Sequence, residues 1–195
     1  MEPLTAPLSA FPLREKRAHE ICGAGAAVFA SAVAGMKSGP VLWISAAHQR
    51  ERLHPESLAQ FCDPSRFVFA SGKSHIDLLW MAEEALRSGA APLVIVELTG
   101  EISFTAGRRL QLAAEAGRTL GLFLIPEGAG SNSAETRWRC SPHFDGTDST
   151  LHHWQLIKNK SGTLGGWITR WDEQARRIIV VSKTSERAGS ARPPH

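Results

Sequence analysis

Four short apolar runs, separated by segments with helical spacing, constrain the fold of this 195-residue chain. The strongest run, residues 93–97 (LVIVE), is apolar on both faces of a strand, and residues 40–45, 67–70 and 120–125 are similar. A strand that is apolar on both faces is typical of a parallel sheet covered by helices on both sides. We therefore predict an α/β fold with a mostly parallel sheet of buried strands flanked by helices.

Three segments between the runs have the composition and spacing of helices. Residues 24–37 are rich in alanine and end before a Ser-Gly-Pro stop signal. A second helix is expected from Ser74, as its N-cap, to Arg87, and a third over residues 103–118. The side chains expected in the core from these helices and the first strand are Trp43, Ile76, Leu79, Trp80, Leu86, Phe104, Leu110 and Ala114.

The last third of the chain has a different pattern. Residues 153–158, 166–171 and 177–182 alternate between apolar and polar side chains, as strands of an antiparallel sheet do. We expect an antiparallel β extension in this C-terminal third, joined by the turns at residues 159–162 and 172–174.

The chain is predicted to form a single domain over residues 13–185, between a loose, flexible arm at residues 1–12 and a disordered tail at residues 186–195. The three cysteines are far apart, as expected for reduced thiols. No basic segment followed by an apolar one begins the chain, and no apolar run approaches a membrane span. These features favour a cytoplasmic protein without a membrane partner.

Basic residues are concentrated in the second half, where residues 98–195 hold 13 Lys and Arg against 9 Asp and Glu. Arg137 and Arg139 alternate on a predicted strand and so share one face, with Trp138 between them directed to the core. Lys158 and Lys160 repeat the pattern. These four cations are candidates for a surface that contacts nucleic acid or a partner protein, or they form the polar outer face of a half-buried strand.

The histidines do not predict a metal site. His152 and His153 are adjacent on a predicted strand, so their side chains point to opposite faces and cannot easily share one ion.

Several segments carry a family resemblance that extends over about residues 17–171. They are His19-Glu20, residues 79–89 (LWMAEEALRSG) with the strand ending at Glu97, residues 108–116 (RRLQLAAEA), and residues 136–139 (TRWR). Together they resemble the ImuA family, bacterial RecA-like proteins of the SOS mutagenesis cassette. The resemblance implies a RecA-like sheet without an ATPase and a role in damage-induced translesion DNA synthesis.

The resemblance also implies partners. They are an ImuB-type protein related to Y-family polymerases, an error-prone DNA polymerase III alpha-type subunit, and RecA itself. Contact with DNA is expected to be indirect, and the cytoplasmic protein is expected at the nucleoid when DNA is damaged.

The chain departs from a working RecA-type nucleotide site. Residues 19–28 (HEICGAGAAV) stand where the phosphate-binding loop should be and lack its Lys and Ser/Thr. Lys73, in Gly72-Lys73-Ser74, follows a strand without the long glycine loop, so Ser74 is interpreted as a helix cap. Glu97 is a degenerate Walker-B-type acid, a candidate Mg²⁺ ligand or a structural remnant.

Two further departures concern catalysis and DNA. Ala47 stands near the position of the water-activating glutamate of RecA, and His48 is not clearly placed to replace it. The segments at residues 98–102 and 126–132, where RecA carries its DNA-gripping loops, are short. We therefore expect no enzymatic activity and no cofactor; the alternatives are a weak DNA-stimulated ATPase using Lys73 and Glu97, or a direct single-stranded-DNA-binding module.

Overall fold

The computed structural model describes residues 4–6, 11–49 and 53–184. Within them the strands are β1 (Leu4–Ala6), β2 (Ala18–Cys22), β3 (Val41–Ala46), β4 (Phe67–Gly72), β5 (Leu93–Glu97), β6 (Leu120–Leu124), β7 (Thr136–His143), β8 (Leu151–Asn159), β9 (Gly165–Asp172) and β10 (Arg177–Thr184). The α-helices are α1 (Ala26–Gly35), α2 (Pro55–Ala59), α3 (His75–Ser88) and α4 (Phe104–Ala116), and a short 3₁₀ helix spans Pro64–Arg66.

All the strands belong to one mixed sheet in the order β1-β10-β9-β8-β7-β2-β6-β5-β3-β4. Strands β2 to β6 are parallel to one another, and β7 pairs with β2 in the same direction. Strands β8, β9 and β10 continue from β7 as an antiparallel extension. The predicted fold class, a mostly parallel α/β sheet flanked by helices with antiparallel C-terminal strands, is confirmed.

Helices cover both faces of the parallel strands. On one face, α1 and α2 bury Phe29 and Leu58 against Trp43, Ile95 and Trp138. On the other face, α3 and α4 pack against the alternate side chains of the same strands, which are Ile44, Val94, Val96 and Phe123. This double burial explains why the strand runs carry apolar residues at consecutive positions.

Both long helices on the second face begin with a side-chain cap, of which the one at Ser74 was predicted from the sequence. Ser74 accepts a hydrogen bond from the Asp77 amide, and Ser103 accepts one from the Ala106 amide. Asp77 completes a capping box by accepting from the Ser74 amide. Gly89 ends α3 in the left-handed conformation with φ of 66°, which glycine adopts without steric cost.

Strand β4 is only partly buried, contrary to expectation, with Phe67 in the core and the middle of the strand exposed. It lies at one edge of the sheet, and Val68 and Phe69 are more than half exposed. An apolar run identifies a strand, but its position in the sheet depends on the tertiary arrangement.

The predicted buried face of α3 is also partly wrong. Ile76 is 77% exposed and Trp80 is 63% exposed, whereas the buried stripe runs through Leu78, Ala82 and Leu86. Leu86 is buried as predicted. Ile76 and Trp80 are four residues apart, as are successive members of the stripe formed by Leu78, Ala82 and Leu86, so this spacing alone could not select the buried side. In α4, Phe104 is likewise exposed, while Leu110 and Ala114 are buried as predicted.

The N-terminal segment contacts the sheet at two places within residues 1–12, where a loose arm was expected. Leu4–Ala6 pairs with β10, and Phe11 is buried with its ring centroid 5.4 Å from that of Trp154. The predicted disordered tail, residues 186–195, lies outside the described residues. Among the described helices, none combines the length and apolar character needed to cross a membrane.

A buried polar network joins the parallel strands to the antiparallel extension. His19 on β2 has its Nε2 atom 2.9 Å from the Arg14 carbonyl, which can only accept, so Nε2 carries the proton. Nδ1 then accepts from the Thr136 hydroxyl at 2.7 Å, and Thr136 in turn accepts from Trp138 Nε1. Burial lowers the pKa of His19 to about 4, so the ring is neutral in the folded protein near pH 7.

This network predicts acid sensitivity. Between pH 6.5 and about 4 the unfolded chain protonates His19 while the folded chain does not, so the free energy of unfolding falls as the pH falls through this window. The contribution, fully present above pH 6.5, is about 3 kcal/mol from the shift in pKa. Urea unfolding followed by tryptophan fluorescence across this range should show a flatter pH dependence for His19→Gln than for the wild type.

The exposed His54 provides the matched control, because its side chain is 68% accessible. His54→Gln should retain the wild-type pH dependence. Equal pH dependence in the wild type and in His19→Gln would contradict the assignment.

Candidate functional site

The turn between β2 and α1 occupies the place where a phosphate-binding loop would lie. Strand β7 continues beyond the end of β2 and passes directly against this turn. The Gly25 amide donates a hydrogen bond of 2.9 Å to the Cys140 carbonyl. Gly23 has φ of 90°, and a Cβ there would lie 2.4 Å from the same carbonyl oxygen. The turn is therefore packed against the protein's own backbone, with the Gly25 N–H already used.

The second glycine-containing turn, Gly72-Lys73-Ser74, is likewise satisfied internally. The Asp77 carboxylate accepts from the Lys73 amide at 3.2 Å and from the Ser74 amide at 3.0 Å. These are amides that a phosphate-binding turn would direct at its ligand. A carboxylate of the same helix takes that position, and Ser74 acts as the predicted cap.

Glu97 lies at the carboxyl end of β5, in a crevice between β5 and β3. Its Oε1 atom accepts from Trp43 Nε1 and its Oε2 atom accepts from Gln49 Nε2. Within the described residues it has no Lys, Arg or His partner within ion-pair distance.

Two cavities open on either side of this carboxylate. One, of about 180 Å³, is lined by Trp43, Ser45, Leu53, Phe69, Ala70, Ser71 and Glu97. The other, of about 320 Å³, is lined by His48, Gln49, Glu97, Leu98, Thr99, Leu124 and Ile125. We call the first of these the Glu97 cleft.

The topology of the sheet also singles out this crevice. From β3 the chain passes to β4 on one side, and from β5 it passes to β6 on the other. Adjacent parallel strands whose connections leave in opposite directions create a crevice at their carboxyl ends, where open α/β sheets bind ligands. The Glu97 cleft is therefore in the position that the fold itself favours for a ligand.

Three of the four predicted surface cations are directed toward the chain itself. Arg137 donates from Nε to Glu20 at 2.7 Å and from Nη2 to the Ser131 carbonyl at 2.8 Å. Lys158 donates to the Ala134 carbonyl, and Lys160 donates to the Ser133 carbonyl at 2.6 Å. These contacts hold the segment before β7.

Arg139 differs from the other three cations. Its side chain is 47% exposed and forms an ion pair of 3.3 Å with the exposed Glu127. Trp138, between the two arginines, is fully buried as predicted.

The partner of Arg137 is a carboxylate that the sequence did not single out for this role. Glu20 is only 2% exposed and also accepts from the Ser131 amide at 2.9 Å. Burial raises the pKa of Glu20, while the Ser131 amide and Arg137 oppose that shift. Burial likewise lowers the pKa of Lys158, with a further lowering from the charge of Lys160. The short segment at residues 126–132 thus leads into a loop fixed by buried charge.

An exposed apolar surface on α3 and α4 was missed by the sequence analysis. Ile76 and Trp80 stand one turn apart beside a groove between the helices, which Arg109 borders from α4. Arg109 pairs with the buried Glu83 at 2.7 Å, and Arg87 binds the same carboxylate. We call the surface formed by Ile76, Trp80 and Arg109 the α3–α4 surface. Glu83, which is buried and has two arginine partners, marks the side of α3 that faces inward.

His152 and His153, the adjacent pair considered in the sequence analysis, lie on β8, outside the α3–α4 surface and the Glu97 cleft. Among the residues that the structure describes, no group of three or more His, Cys, Asp or Glu side chains is arranged to hold a metal ion.

The chain is similar in sequence to Protein ImuA of Caulobacter vibrioides, in strains NA1000 / CB15N and ATCC 19089 / CIP 103742 / CB 15. In each comparison the identity is 26% over 185 residues, covering 80% of this chain and 75% of ImuA. No protein-family model matches the chain. The similarity extends over most of both proteins.

The contacts of the two arginines predict different effects of substitution. Arg137→Met removes the cation from a buried carboxylate, so we expect a loss of about 3–5 kcal/mol in the free energy of unfolding. Arg139→Met removes a half-exposed ion pair and should change it by less than about 1 kcal/mol. Urea unfolding of the two variants measures both values.

Salt-dependent binding of a fluorescent single-stranded oligonucleotide, measured on the same proteins, separates the structural role from a nucleic-acid role. Similar stability in both variants, combined with loss of oligonucleotide binding in both, would contradict the structural role of Arg137 and support a DNA-binding patch.

Proposed function

We propose that this chain is a non-catalytic, RecA-like accessory protein of damage-induced translesion DNA synthesis, which acts through protein contacts. The similarity to ImuA over most of the chain supports the assignment to SOS mutagenesis. The proposed partners are those that the family resemblance implies: an ImuB-type polymerase-like protein, an error-prone DNA polymerase III alpha-type subunit, and RecA.

The observation that carries the non-catalytic proposal is the hydrogen bond from the Gly25 amide to the Cys140 carbonyl. A phosphate-binding loop depends on free amides around the ligand and on a lysine that reaches the phosphates. Here β7 occupies the space next to Gly23 and Gly25, and the turn contains no lysine. The protein would therefore contribute a binding scaffold to its pathway and no nucleotide hydrolysis.

The α3–α4 surface is the proposed site for the ImuB-type partner. Tryptophan and arginine are the residues that most often dominate the energy of protein interfaces, and Trp80 and Arg109 stand at the same groove. Ile76 adds a second exposed apolar side chain one helical turn from Trp80. The ion pairs of Glu83 hold Arg87 and Arg109 in place, so the surface is largely preformed.

The partner proposal is tested by co-expression of this chain with the ImuB-type protein from the same genome, followed by a quantitative pull-down. Trp80→Ser should weaken the complex by about thirtyfold, corresponding to about 2 kcal/mol for an anchor residue. Phe144→Ser, which changes another exposed aromatic side chain, is the control and should leave binding unchanged. No complex with the wild-type chain would refute the partner, and equal binding by Trp80→Ser would refute the surface.

The non-catalytic proposal is tested by titrating a fluorescent ATP analogue with Mg²⁺ against the wild type and Glu97→Gln. We expect no saturable binding that unlabelled ATP displaces, because the Gly25 amide of one turn and the Lys73 and Ser74 amides of the other already bond within the protein. Displaceable binding, or phosphate release stimulated by single-stranded DNA and lost in Glu97→Gln, would favour the alternative of a weak ATPase.

A further inference from the structure

We infer that the Glu97 cleft is a binding site for an alkylammonium or alkylguanidinium ion, which is a positively charged nitrogen group on an aliphatic stem. Glu97 is its counter-ion. The inference goes beyond the proposed function and does not depend on it. It rests on the charge state of the cleft, the nature of its walls and its size.

The charge argument comes from a comparison of the acidic residues within the described chain. Three buried glutamates have arginine partners: Glu20 pairs with Arg137, Glu83 with Arg87 and Arg109, and Glu135 with Arg14. Glu97, only half-buried, receives two neutral N–H donors and no cation within the same described residues.

With respect to the residues that the structure describes, which do not include 50–52, Glu97 retains the capacity to accept more hydrogen bonds. Each oxygen of an ionised carboxylate has two lone pairs, and Trp43 and Gln49 each use one. A charged donor would therefore find an oriented acceptor without displacing either existing bond. Hydrogen bonds with two ionised partners are stronger than those between neutral groups.

The walls of the cleft suit an aliphatic stem that ends in a positive charge. Leu53 and Phe69 supply apolar surface, and the half-exposed ring of Phe69 can also attract a cation to its face, while the buried Trp43 backs the cleft from the core. Ser45 and Ser71 add hydroxyl groups that can accept from the remaining N–H donors. The bond from Trp43 to Glu97 fixes the indole ring beside the carboxylate.

The size and ligand set argue against larger or differently charged ligands. The cleft by itself, at about 180 Å³, is below the roughly 300 Å³ at which pockets for drug-sized molecules begin, so within it one side-chain-sized group fits better than a nucleotide. A Ca²⁺ or Mg²⁺ ion requires about six oxygen ligands, whereas the cleft offers one carboxylate and two serine hydroxyls.

The same chemistry is present in two sources, which are a lysine or arginine side chain of a polypeptide and a free alkylamine. Two probes distinguish them: N-acetyl-arginine methylamide, which carries flanking peptide groups, and 1-pentylamine, which does not. Each has a neutral counterpart of similar shape, N-acetyl-citrulline methylamide and 1-pentanol.

The test is an NMR chemical-shift titration of the isotope-labelled full chain with each probe. We expect at least one cationic probe to bind with shifts centred on Trp43, Phe69 and Glu97, and its neutral counterpart to bind at least about tenfold more weakly, because a charged hydrogen bond is lost. Tighter binding of the arginine probe assigns the site to a polypeptide side chain, and tighter binding of pentylamine assigns it to a free amine.

Two variants and one control locate the site. Glu97→Gln should reduce the affinity at least about tenfold. It also places an amide opposite the N–H groups of Trp43 and Gln49, so its folding must be checked by circular dichroism. Phe69→Ser changes a half-exposed side chain on an edge strand and should fold normally while weakening binding severalfold. Glu101→Gln, at an exposed carboxylate outside the cleft, should bind like the wild type.

Three results would overturn the inference. These are equal affinity for the cationic and neutral probes, no binding of either cation at high millimolar concentration, and unchanged affinity in both Glu97→Gln and Phe69→Ser. The titration needs no partner protein, so a failed pull-down with the ImuB-type protein and a failed titration are independent results.

Discussion

The close contact between β7 and the turn that follows β2 is the constraint on which both halves of the sheet depend. Through the Cys140 carbonyl, β7 fixes the Gly25 amide and leaves no space for a side chain at Gly23. The same strand carries Trp138 into the core and begins the antiparallel extension through its pairing with β8. One element therefore completes the sheet and closes the turn at which an anion would bind.

Buried glutamates of this protein are paired with arginines, and the pair formed by Glu20 and Arg137 holds a segment that lacks regular structure. Glu20 fixes the Ser131 amide and Arg137, while Lys158 and Lys160 bind carbonyls of the same segment. A buried carboxylate without its cation is strongly destabilising, so these groups function as units. Among the described residues, Glu97 differs from these paired glutamates in that it accepts from two neutral donors and has no cation partner, and it lies at the switch point of the sheet, where ligands bind in open α/β folds.

The features that sequence predicted well are those encoded by neighbouring residues. The strand at residues 93–97 and the cap at Ser74 follow from consecutive apolar residues and from a capping pattern within four positions. Which strand lies at an edge, and which of two stripes on α3 faces inward, depends on distant segments; hence Phe69 and Trp80 were misassigned. The partner of Arg137 is Glu20, 117 residues away. Strand alternation therefore predicted the face of the strand on which Arg137 lies, but it could not predict the residue that Arg137 contacts.

Of the two candidate ligand positions in this sheet, one is covered by a neighbouring strand and the other is open. The strand order explains this difference. The turn after β2 lies beside β7, which covers it, whereas Glu97 ends β5 at a crevice two strands farther along. Closing the first position removes amides that would attract an anion, but it leaves the second position and its carboxylate untouched. A sheet of this order can therefore cover one ligand position while another, which ends in a carboxylate, stays open, and a carboxylate in a crevice attracts positive charge.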